Sequence, residues 1–287
     1  MFKCVISDRE KTRLLKNVID VLASVIQKEA SQLTVDKDSL TIKALNTNQS
    51  AFVLLKLHSN FFSEFEAGSE EEEVAVGLQL EDVKKVLSRA KDTDKVVLEH
   101  AGSEIFNVTF QSEQFLKRFT LPLEEIVNLP PQIQPDALGL QTTIKVAPGF
   151  LKEVVADIAS IGKTLRLEIA EDSLIMKTSE EQQELEIKAS YTGLGLDATE
   201  PAAGEAGEGD TQETAEPVKM ILEVSGETGF AVKYSLDNLQ HLSRIDSHAI
   251  QTTLQAEQEK PLRVTMAFTG GQVNLDCLLS PVTESED

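Results

Sequence analysis

Apolar residues recur at helical spacing in two segments that lie half a chain apart. Residues 14–25 read LLKNVIDVLASV, and residues 150–161 read FLKEVVADIASI. In each segment apolar side chains return every three or four positions, which places them along one face of a helix. Ser7 and Glu10 precede the first segment with the spacing of a capping box. The pattern therefore predicts two amphipathic helices of similar sequence.

The similarity extends beyond these helices. Residues 38–43 (DSLTIK) match residues 172–177 (DSLIMK), and residues 80–90 (LEDVKKVLSRA) resemble residues 236–245 (LDNLQHLSRI). The matches follow one another in the same order, but matching positions are further apart at the end than at the start. The chain therefore contains two copies of one unit, with an insertion in the second copy. The insertion is residues 196–217, which are rich in Gly, Ala, Glu and Pro and include no basic residue.

Alternating apolar and polar residues fill the segments between the helices. Examples are AFVLLKLH and KVVLEH in the first copy, and LRLEIA and LRVTMAF in the second. A period of two is typical of antiparallel strands that bury one face. The pattern predicts two helices and about eight or nine strands in each copy. We therefore predict an α+β fold of two duplicated domains, each made of antiparallel sheets with two helices on one face.

The sequence divides into two domains and a connector. We predict the first domain at residues 1–121, the connector at residues 122–141 and the second domain at residues 142–287. The connector reads PLEEIVNLPPQIQPDALGLQ, and its prolines disfavour both a helix and a central strand. Within the second domain we predict an acidic loop at residues 196–217 and an acidic tail at residues 283–287, because neither composition can bury a core.

Composition narrows the class of protein. The chain has 287 residues, a net charge of -21 and two cysteines, Cys4 and Cys277. Such an acidic chain is not a simple basic nucleic-acid binder, so contact with DNA requires a local positive patch. Two cysteines make no disulfide framework, and neither a signal peptide nor a long apolar run is visible. We therefore expect an intracellular protein with no membrane segment.

Basic residues concentrate on the predicted helices of this acidic chain. On the first helix, Arg9, Arg13 and Lys16 fall on one face, away from the apolar stripe. A layer of such helices offers a positive track that attracts a phosphate backbone without reading sequence. Each of these cations could instead belong to an ordinary solvated helix face. The candidate DNA-facing residues are Arg9, Lys11, Arg13, Lys16, Lys84, Lys85, Arg89, Lys152 and Arg244.

Four features together resemble a known family, the DNA sliding clamps of the proliferating cell nuclear antigen (PCNA) type. They are the duplicated helix pairs, residues 40–57 (LTIKALNTNQSAFVLLKL), the proline-bearing connector and residues 275–282 (LDCLLSPV). The compact first loops are more similar to archaeal than to animal members. The resemblance implies two sliding-clamp domains per chain with their helices on the inner face. It also implies three head-to-tail subunits in a ring that encircles duplex DNA.

The resemblance further implies what the protein does and binds. A clamp of this type is non-catalytic, needs no cofactor, and tethers DNA polymerase, flap nuclease and ligase during replication and repair. These enzymes dock through a short peptide that carries a glutamine and a hydrophobic plug, and a clamp loader opens the ring with ATP. The protein would then be associated with DNA, in the nucleoid of an archaeon or the nucleus of a eukaryote.

The peptide pocket of the family carries over position by position. It is an apolar cleft between the domains with a polar rim, which suits a short amphipathic peptide. Two positions depart from the family, because Leu278 stands where an aromatic residue is common and Ser280 where alanine is common. Ile126 and Leu278 could instead be ordinary core residues. The implied pocket residues are Leu45, Gln49, Ile126, Leu129, Pro130, Leu278, Ser280 and Pro281.

The resemblance places the subunit interface at two edge strands. One strand lies near residues 115–121 and the other near residues 184–191. Their charges are opposite, which favours heterologous pairing between two copies of the chain. Either strand could instead be a plain solvated edge. The implied interface residues are Lys117 and Arg118 on the first strand and Glu184 and Glu186 on the second.

Two other functions compete with a homotrimeric clamp. An enzyme would need convergent catalytic groups, yet the four histidines show no metal-ligand spacing with the cysteines. Residues 192–198 (TGLGLDA) lack the third glycine of a dinucleotide loop and precede no predicted helix. The nearer alternative is a clamp-like subunit of a heteromeric ring that is specialised for repair or damage signalling. The sequence alone does not separate that subunit from a homotrimer.

Overall fold

The structure is a computed structural model, and it describes residues 1–67, 74–102, 104–126, 133–180, 183–191 and 220–282. The predicted acidic loop at residues 196–217 and the predicted acidic tail at residues 283–287 lie outside these ranges. Leu129 and Pro130 of the predicted pocket also lie outside them. Within the described residues the chain forms four α-helices and eighteen β-strands, divided equally between the two repeats.

The first repeat contains two helices and nine strands. Its helices are α1 (Arg9–Ile26) and α2 (Leu80–Leu87). Its strands are β1 (Phe2–Ile6), β2 (Ala30–Val35), β3 (Ser39–Leu45), β4 (Ala51–His58), β5 (Glu64–Glu66), β6 (Val74–Gln79), β7 (Lys95–His100), β8 (Ile105–Gln111) and β9 (Leu116–Pro122).

The second repeat has the same elements in the same order. Its helices are α3 (Phe150–Ala159) and α4 (Leu236–Asp246). Its strands are β10 (Thr142–Val146), β11 (Thr164–Ile169), β12 (Ser173–Glu180), β13 (Gln183–Ser190), β14 (Ile221–Ser225), β15 (Phe230–Ser235), β16 (Gln251–Ala256), β17 (Leu262–Phe268) and β18 (Val273–Leu279).

Helix α1 begins at a cap one residue later than its sequence suggested. The side chain of Asp8, rather than that of Ser7, accepts a hydrogen bond from the backbone N–H of Lys11 at 2.9 Å. This bond satisfies one of the N–H groups that the first helical turn leaves unpaired. The apolar stripe from Leu14 to Ile26 is buried, as its spacing predicted.

Helix α3 is capped from a distant part of the chain. Its own N-cap residue is Gly149, which has no side chain to accept a hydrogen bond. Asp246, fully buried at the end of α4, accepts the backbone N–H of Leu151 with one carboxylate oxygen at 2.8 Å. Its other oxygen accepts the hydroxyl of Thr252 at 2.6 Å. A buried carboxylate therefore joins the two helices of the second repeat.

The described strands form three antiparallel sheets. One contains only first-repeat strands, in the order β5-β1-β7-β8-β9, and one contains only second-repeat strands, in the order β13-β12-β11-β15. The third crosses the molecule in the order β14-β10-β16-β17-β18-β4-β3-β2-β6. Its β14-β10-β16-β17-β18 part repeats the first sheet, and its β4-β3-β2-β6 part repeats the second. The duplication predicted from the sequence is therefore confirmed strand by strand.

The helices in the described part of the chain form one layer. Helix α1 packs against α2 and α4, and α4 packs against α3, which gives the order α2-α1-α4-α3. The apolar faces of the helices and the inward faces of the three sheets enclose one hydrophobic core with residues from both repeats. The predicted α+β fold, with helices on one face of antiparallel sheets, is confirmed.

Candidate functional site

Three cations of α1 share one carboxylate. Arg13 Nη2 lies 2.9 Å from Asp92 Oδ2, and Arg9 Nε and Lys16 Nζ each lie 3.7 Å from an oxygen of the same carboxylate. The hydrogen bond from Arg13 holds the pKa of Asp92 below its usual range. Because three positive charges face one negative charge, this end of the helix layer keeps a local positive charge in an acidic chain.

Lys11 lies in a different environment from these three cations. Its Nζ donates hydrogen bonds to the backbone oxygens of Asn60 and Phe61, at 3.2 Å and 3.0 Å. The same ammonium lies 5.4 Å from the centre of the Phe61 ring. Three contacts therefore hold Lys11 beside the turn that follows β4, so it is less available to a phosphate than Arg9 or Arg13.

The two predicted cations on α2 are paired with carboxylates of the helix layer. Lys84 Nζ lies 3.0 Å from Asp20 Oδ1 on α1, and Lys85 Nζ lies 2.8 Å from Asp82 Oδ1 on α2 itself. The hydrogen bond to Asp82 raises the pKa of Lys85. Ion pairs at a protein surface contribute only about 0–1 kcal/mol, so a phosphate can compete for both ammonium groups.

Three predicted cations have no ion pair and no side-chain hydrogen bond to any described residue. Arg89 follows α2, Lys152 lies in the first turn of α3, and Arg244 lies in the last turn of α4. All three are exposed. Lys152 is flanked on the exposed face of α3 by Glu153 and Asp157. The field around α3 is therefore less positive than the field around the start of α1.

An apolar row crosses the outer face of the nine-stranded sheet. Leu45 on β3 pairs with Phe52 on β4, and Phe52 pairs with Leu278 on β18. These residues alternate with the core-facing positions, so their side chains point away from the helix layer. Phe52 and Leu278 are only 3% and 5% exposed, yet neither belongs to the core that the described residues form. Phe52 is the member of this apolar row that the sequence reasoning missed.

The start of the connector and the turn after β3 border an open depression of about 630 Å³ beside the apolar row. Leu45, Gln49 and Ile126 all line it. The connector approaches closely here, since the backbone N–H of Glu124 donates to the carbonyl oxygen of Gly77 on β6 at 3.0 Å. A Cβ atom at Gly77 would overlap the carbonyl oxygen of Glu124, so the approach requires glycine. The structure therefore brings three predicted pocket residues together.

The predicted pocket residues after β18 do not line this depression. The backbone N–H of Ser280 donates to the carbonyl oxygen of Ser50 at 2.9 Å, which ties the segment to the turn before β4. Pro281 forms an isolated bridge with Tyr234 and borders a second depression, which Lys233 and Val282 also line. The structure thus divides the described pocket residues: three line the first depression, Pro281 borders the second, and Leu278 lies in the apolar row.

Strands β9 and β13 each lie at the edge of a sheet. β9 pairs with β8 and β13 pairs with β12, and no other described strand pairs with either of them. Phe115 and Leu116 are 61% and 63% exposed at the β9 edge. The predicted interface residues are exposed on these edges: Lys117 and Arg118 on β9, and Glu184 and Glu186 on β13.

Possible metal ligands do not converge in the described part of the chain. No cluster of three or more His, Cys, Asp or Glu residues suited to a metal ion occurs there. Burial raises the pKa of the Cys4 thiol to about 12, so this thiol is protonated and unreactive at neutral pH. Across the same residues, no helix combines the length and the apolar character that a membrane span requires.

Comparison with known proteins agrees with this geometry. The model of the Rad9 family matches residues 15–222. A curated relative named DNA polymerase sliding clamp, from Thermococcus onnurineus, is 24% identical over 251 residues, which are 86% of this chain and 88% of the relative. These matches confirm the resemblance to archaeal sliding clamps.

Two solved structures share the fold over almost the whole chain. PCNA from Thermococcus kodakaraensis gives a TM-score of 0.77 at 17% identity, covering 98% of this chain and 100% of that one. PCNA from A. fulgidus, solved with the C-terminal region of FEN-1 bound, gives 0.78 at 16% identity and covers 100% of both chains. Because the family model spans well over half of its length, the chain belongs to the Rad9 family, and its fold is that of the PCNA sliding clamps.

Proposed function

We propose that this chain is a non-catalytic sliding clamp. Three copies join head to tail in a ring around duplex DNA, and the ring tethers DNA polymerase and other replication and repair enzymes. The joint between the two repeats carries the proposal. In that joint β18 of the second repeat pairs with β4 of the first repeat. The counterpart of β18 in the first repeat is β9, and the counterpart of β4 in the second repeat is β13. Both counterparts are edge strands. Strand β13 of a second copy can therefore pair with β9 in the way that β4 pairs with β18.

The internal joint also predicts the register between two copies. Within the chain, Cys277 lies opposite Val53. Strand β9 pairs with β8 as β18 pairs with β17, and β13 pairs with β12 as β4 pairs with β3. Equivalent residues of these strands therefore give the register expected between β9 and β13. The result places Phe119 of one copy opposite Leu185 of the next, and Arg118 opposite Glu186. An apolar pair beside a pair of opposite charges stabilises antiparallel strands.

In this ring the helix layer faces the DNA. Arg9, Arg13 and Lys16 supply the most positive part of the layer, and Arg89 and Arg244 supply further exposed cations. Contacts of this kind bind phosphates and carry no sequence information. The remaining four predicted cations are weaker contributors: Lys11, Lys84, Lys85 and Lys152. The proposed domains are residues 1–121 and 142–287, joined by the connector at 122–141.

Partner enzymes dock on the outer face, over the apolar row of Leu45, Phe52 and Leu278. The depression beside the row offers polar groups for a glutamine, and the row itself offers an apolar surface for a hydrophobic plug. The solved PCNA from A. fulgidus holds the C-terminal region of FEN-1, which supports a short nuclease peptide as one occupant. We propose DNA polymerase, ligase and the clamp loader as further partners, with Leu129 and Pro130 completing the pocket.

The second candidate function is a clamp-like subunit of a heteromeric ring. Two observations favour the homotrimer over it. First, the register derived from the internal joint places complementary residues of β9 and β13, two edges of the same chain, opposite one another. Second, the curated relatives are named DNA polymerase sliding clamp. The two candidates differ in one measurable property, which is whether the chain assembles with itself.

A charge exchange at the proposed interface tests assembly. Arg118→Glu and Glu186→Arg should each shift the purified chain from trimer to monomer, because each places like charges opposite one another. The double variant restores opposite charges and should recover the trimer. The measurement is molar mass in solution by light scattering, and Lys28→Glu, on the exposed turn between α1 and β2, is the control. A double variant that stays monomeric would contradict the register. A wild-type chain that stays monomeric until a related subunit is added would instead support the heteromeric ring.

A further inference from the structure

Arg263 joins the connector to the outer face of the nine-stranded sheet. It lies on β17 beside Leu278, its cross-strand neighbour on β18, and its side chain is 11% exposed. Its Nη1 lies 2.6 Å from Oδ1 of Asp136 in the connector, and its Nε lies 2.7 Å from Oδ1 of Asp276 on β18. One guanidinium group therefore bridges the connector and the sheet next to the apolar row.

The sheet holds this guanidinium group by itself. Gln255 Oε1 accepts a hydrogen bond from Arg263 Nη1 at 3.0 Å, and the hydroxyl of Thr265 donates to Asp276 Oδ1 at 2.8 Å. Asp136, in contrast, has a side chain that is 91% exposed. The position of Asp136 therefore depends on Arg263, whereas the position of Arg263 is set by β16 and β18.

Hydrogen bonds attach both ends of the connector, as far as it is described, to the body of the chain. At its start, the backbone of Glu124 is bonded to Gly77 on β6. At its far end, Asp136 is bonded to Arg263, and Lys260 Nζ donates to the carbonyl oxygen of Leu138 at 3.4 Å. The first attachment borders the depression at Leu45, and the second lies beside Leu278. The two attachments therefore flank the proposed docking surface.

We propose that Arg263 is a positioning residue for partner docking. By binding Asp136 it holds the far end of the connector against the sheet, so that the apolar row is already bordered when a peptide arrives. The inference rests on the proposed docking of a peptide over the apolar row. Arg263 acts through the connector, and losing the attachment adds the cost of ordering the connector to the cost of binding.

The test changes the exposed carboxylate, so that the sheet keeps its buried Arg263–Asp276 pair. Asp136→Ala removes the attachment, and Asp136→Glu retains a carboxylate. Glu223→Ala is the matched control, because it breaks an ion pair of the same length, 2.6 Å to Lys145, on the same sheet, and neither residue is bonded to Asp136 or Arg263. The probe is a synthetic peptide with the sequence of the C-terminal region of FEN-1, titrated by calorimetry. Amide hydrogen exchange at Ala137 reports on the connector independently of the peptide.

Asp136→Ala should weaken peptide binding roughly three- to tenfold and accelerate exchange at Ala137, because a charge-assisted bond is lost. Asp136→Glu should recover most of the affinity, and Glu223→Ala should leave it unchanged. If the wild type binds the peptide and Asp136→Ala binds it equally well, the positioning role is wrong and the docking surface stands. An equal loss in Glu223→Ala would also overturn the role. A wild-type chain that does not bind the peptide would overturn both the docking surface and the role of Arg263.

Discussion

Single side chains cap the helices of the helix layer and fix the positions of their N-termini. Ser7 and Asp8 are adjacent and are equally good caps, so the choice of Asp8 depends on the backbone that enters α1. At α3 the choice is less local, because Gly149 contributes no side chain and Asp246 replaces it from α4. A buried carboxylate that accepts three hydrogen bonds would be costly to remove, since its donors would stay buried without a partner.

Replacing Asp246 by Ala should lower the free energy of unfolding by roughly 2–4 kcal/mol, because buried N–H and O–H donors lose a charged acceptor. Asp246→Asn keeps an acceptor oxygen and should cost less. The measurement is urea denaturation followed by circular dichroism. As a control, Asp157→Ala removes an exposed carboxylate near the end of α3, the helix that Asp246 caps, and should change stability by less than about 0.5 kcal/mol. Equal stabilities for Asp246→Ala and Asp157→Ala would contradict the capping role.

At the scale of elements, the contact between α1 and α4 joins the two repeats inside the helix layer. His241 lies half-buried on α4, and its Nδ1 has no hydrogen-bond partner among the described residues. Burial lowers the pKa of His241, and the positive charges of Arg244 and Lys84 act in the same direction. Asp237 and Asp20 oppose the shift without reversing it. The neutral imidazole is therefore the form that this joint favours.

This shift has a defined sign in stability. Because the folded chain holds the pKa of His241 below the ordinary value of 6.5, the unfolded chain binds more protons there at acidic pH. The contribution of His241 to stability is present above pH 6.5 and is lost as the pH falls below it. Between pH 7.5 and pH 5.5, the wild type should therefore lose more of its free energy of unfolding than His241→Gln does, as measured by urea denaturation at both pH values. His248→Gln, at an exposed position after α4, should behave like the wild type, and identical losses in all three proteins would contradict the prediction.

Local patterns predicted the elements well, whereas contacts between distant residues were not predictable from them. The repeated helices and the alternating strands follow from periods of 3.6 and 2, which a short window of sequence reveals. Asp246 and Leu151 are 95 residues apart, and Arg263 and Asp136 are 127 residues apart, so no local pattern links them. Phe52 could have been found, because it is an apolar residue on the outward-facing phase of β4.

At the scale of the whole molecule, charge is separated between surfaces. The chain has a net charge of -21, yet the start of α1 gathers three cations around Asp92. The matching start of α3 has Lys152 beside exposed Glu153. The two repeats therefore offer unequal attraction to a duplex, and the first repeat should hold the DNA more strongly.

This inequality can be measured with two double variants. Arg13→Ala with Arg89→Ala should weaken binding to duplex DNA more than Lys152→Ala with Arg244→Ala. The slope of log affinity against log salt concentration should become shallower by about 0.9 for each phosphate contact that is lost. Fluorescence anisotropy across a salt series gives both quantities, and circular dichroism checks that the fold is kept. Equal losses for the two variants would show that the repeats contribute equally.

The joint between β18 and β4 has a consequence for how such a ring opens. The connector tethers the two repeats, so this joint always forms between segments of one molecule, at an effective concentration that short linkers raise to about the millimolar range. In the proposed ring, the joint between β9 of one copy and β13 of the next has no such tether and depends on the concentration of free chains. Dilution should therefore separate that ring at the seams between chains and leave the seams within chains closed. Half of the equivalent seams would be permanent, and a loader would have only the other half to open.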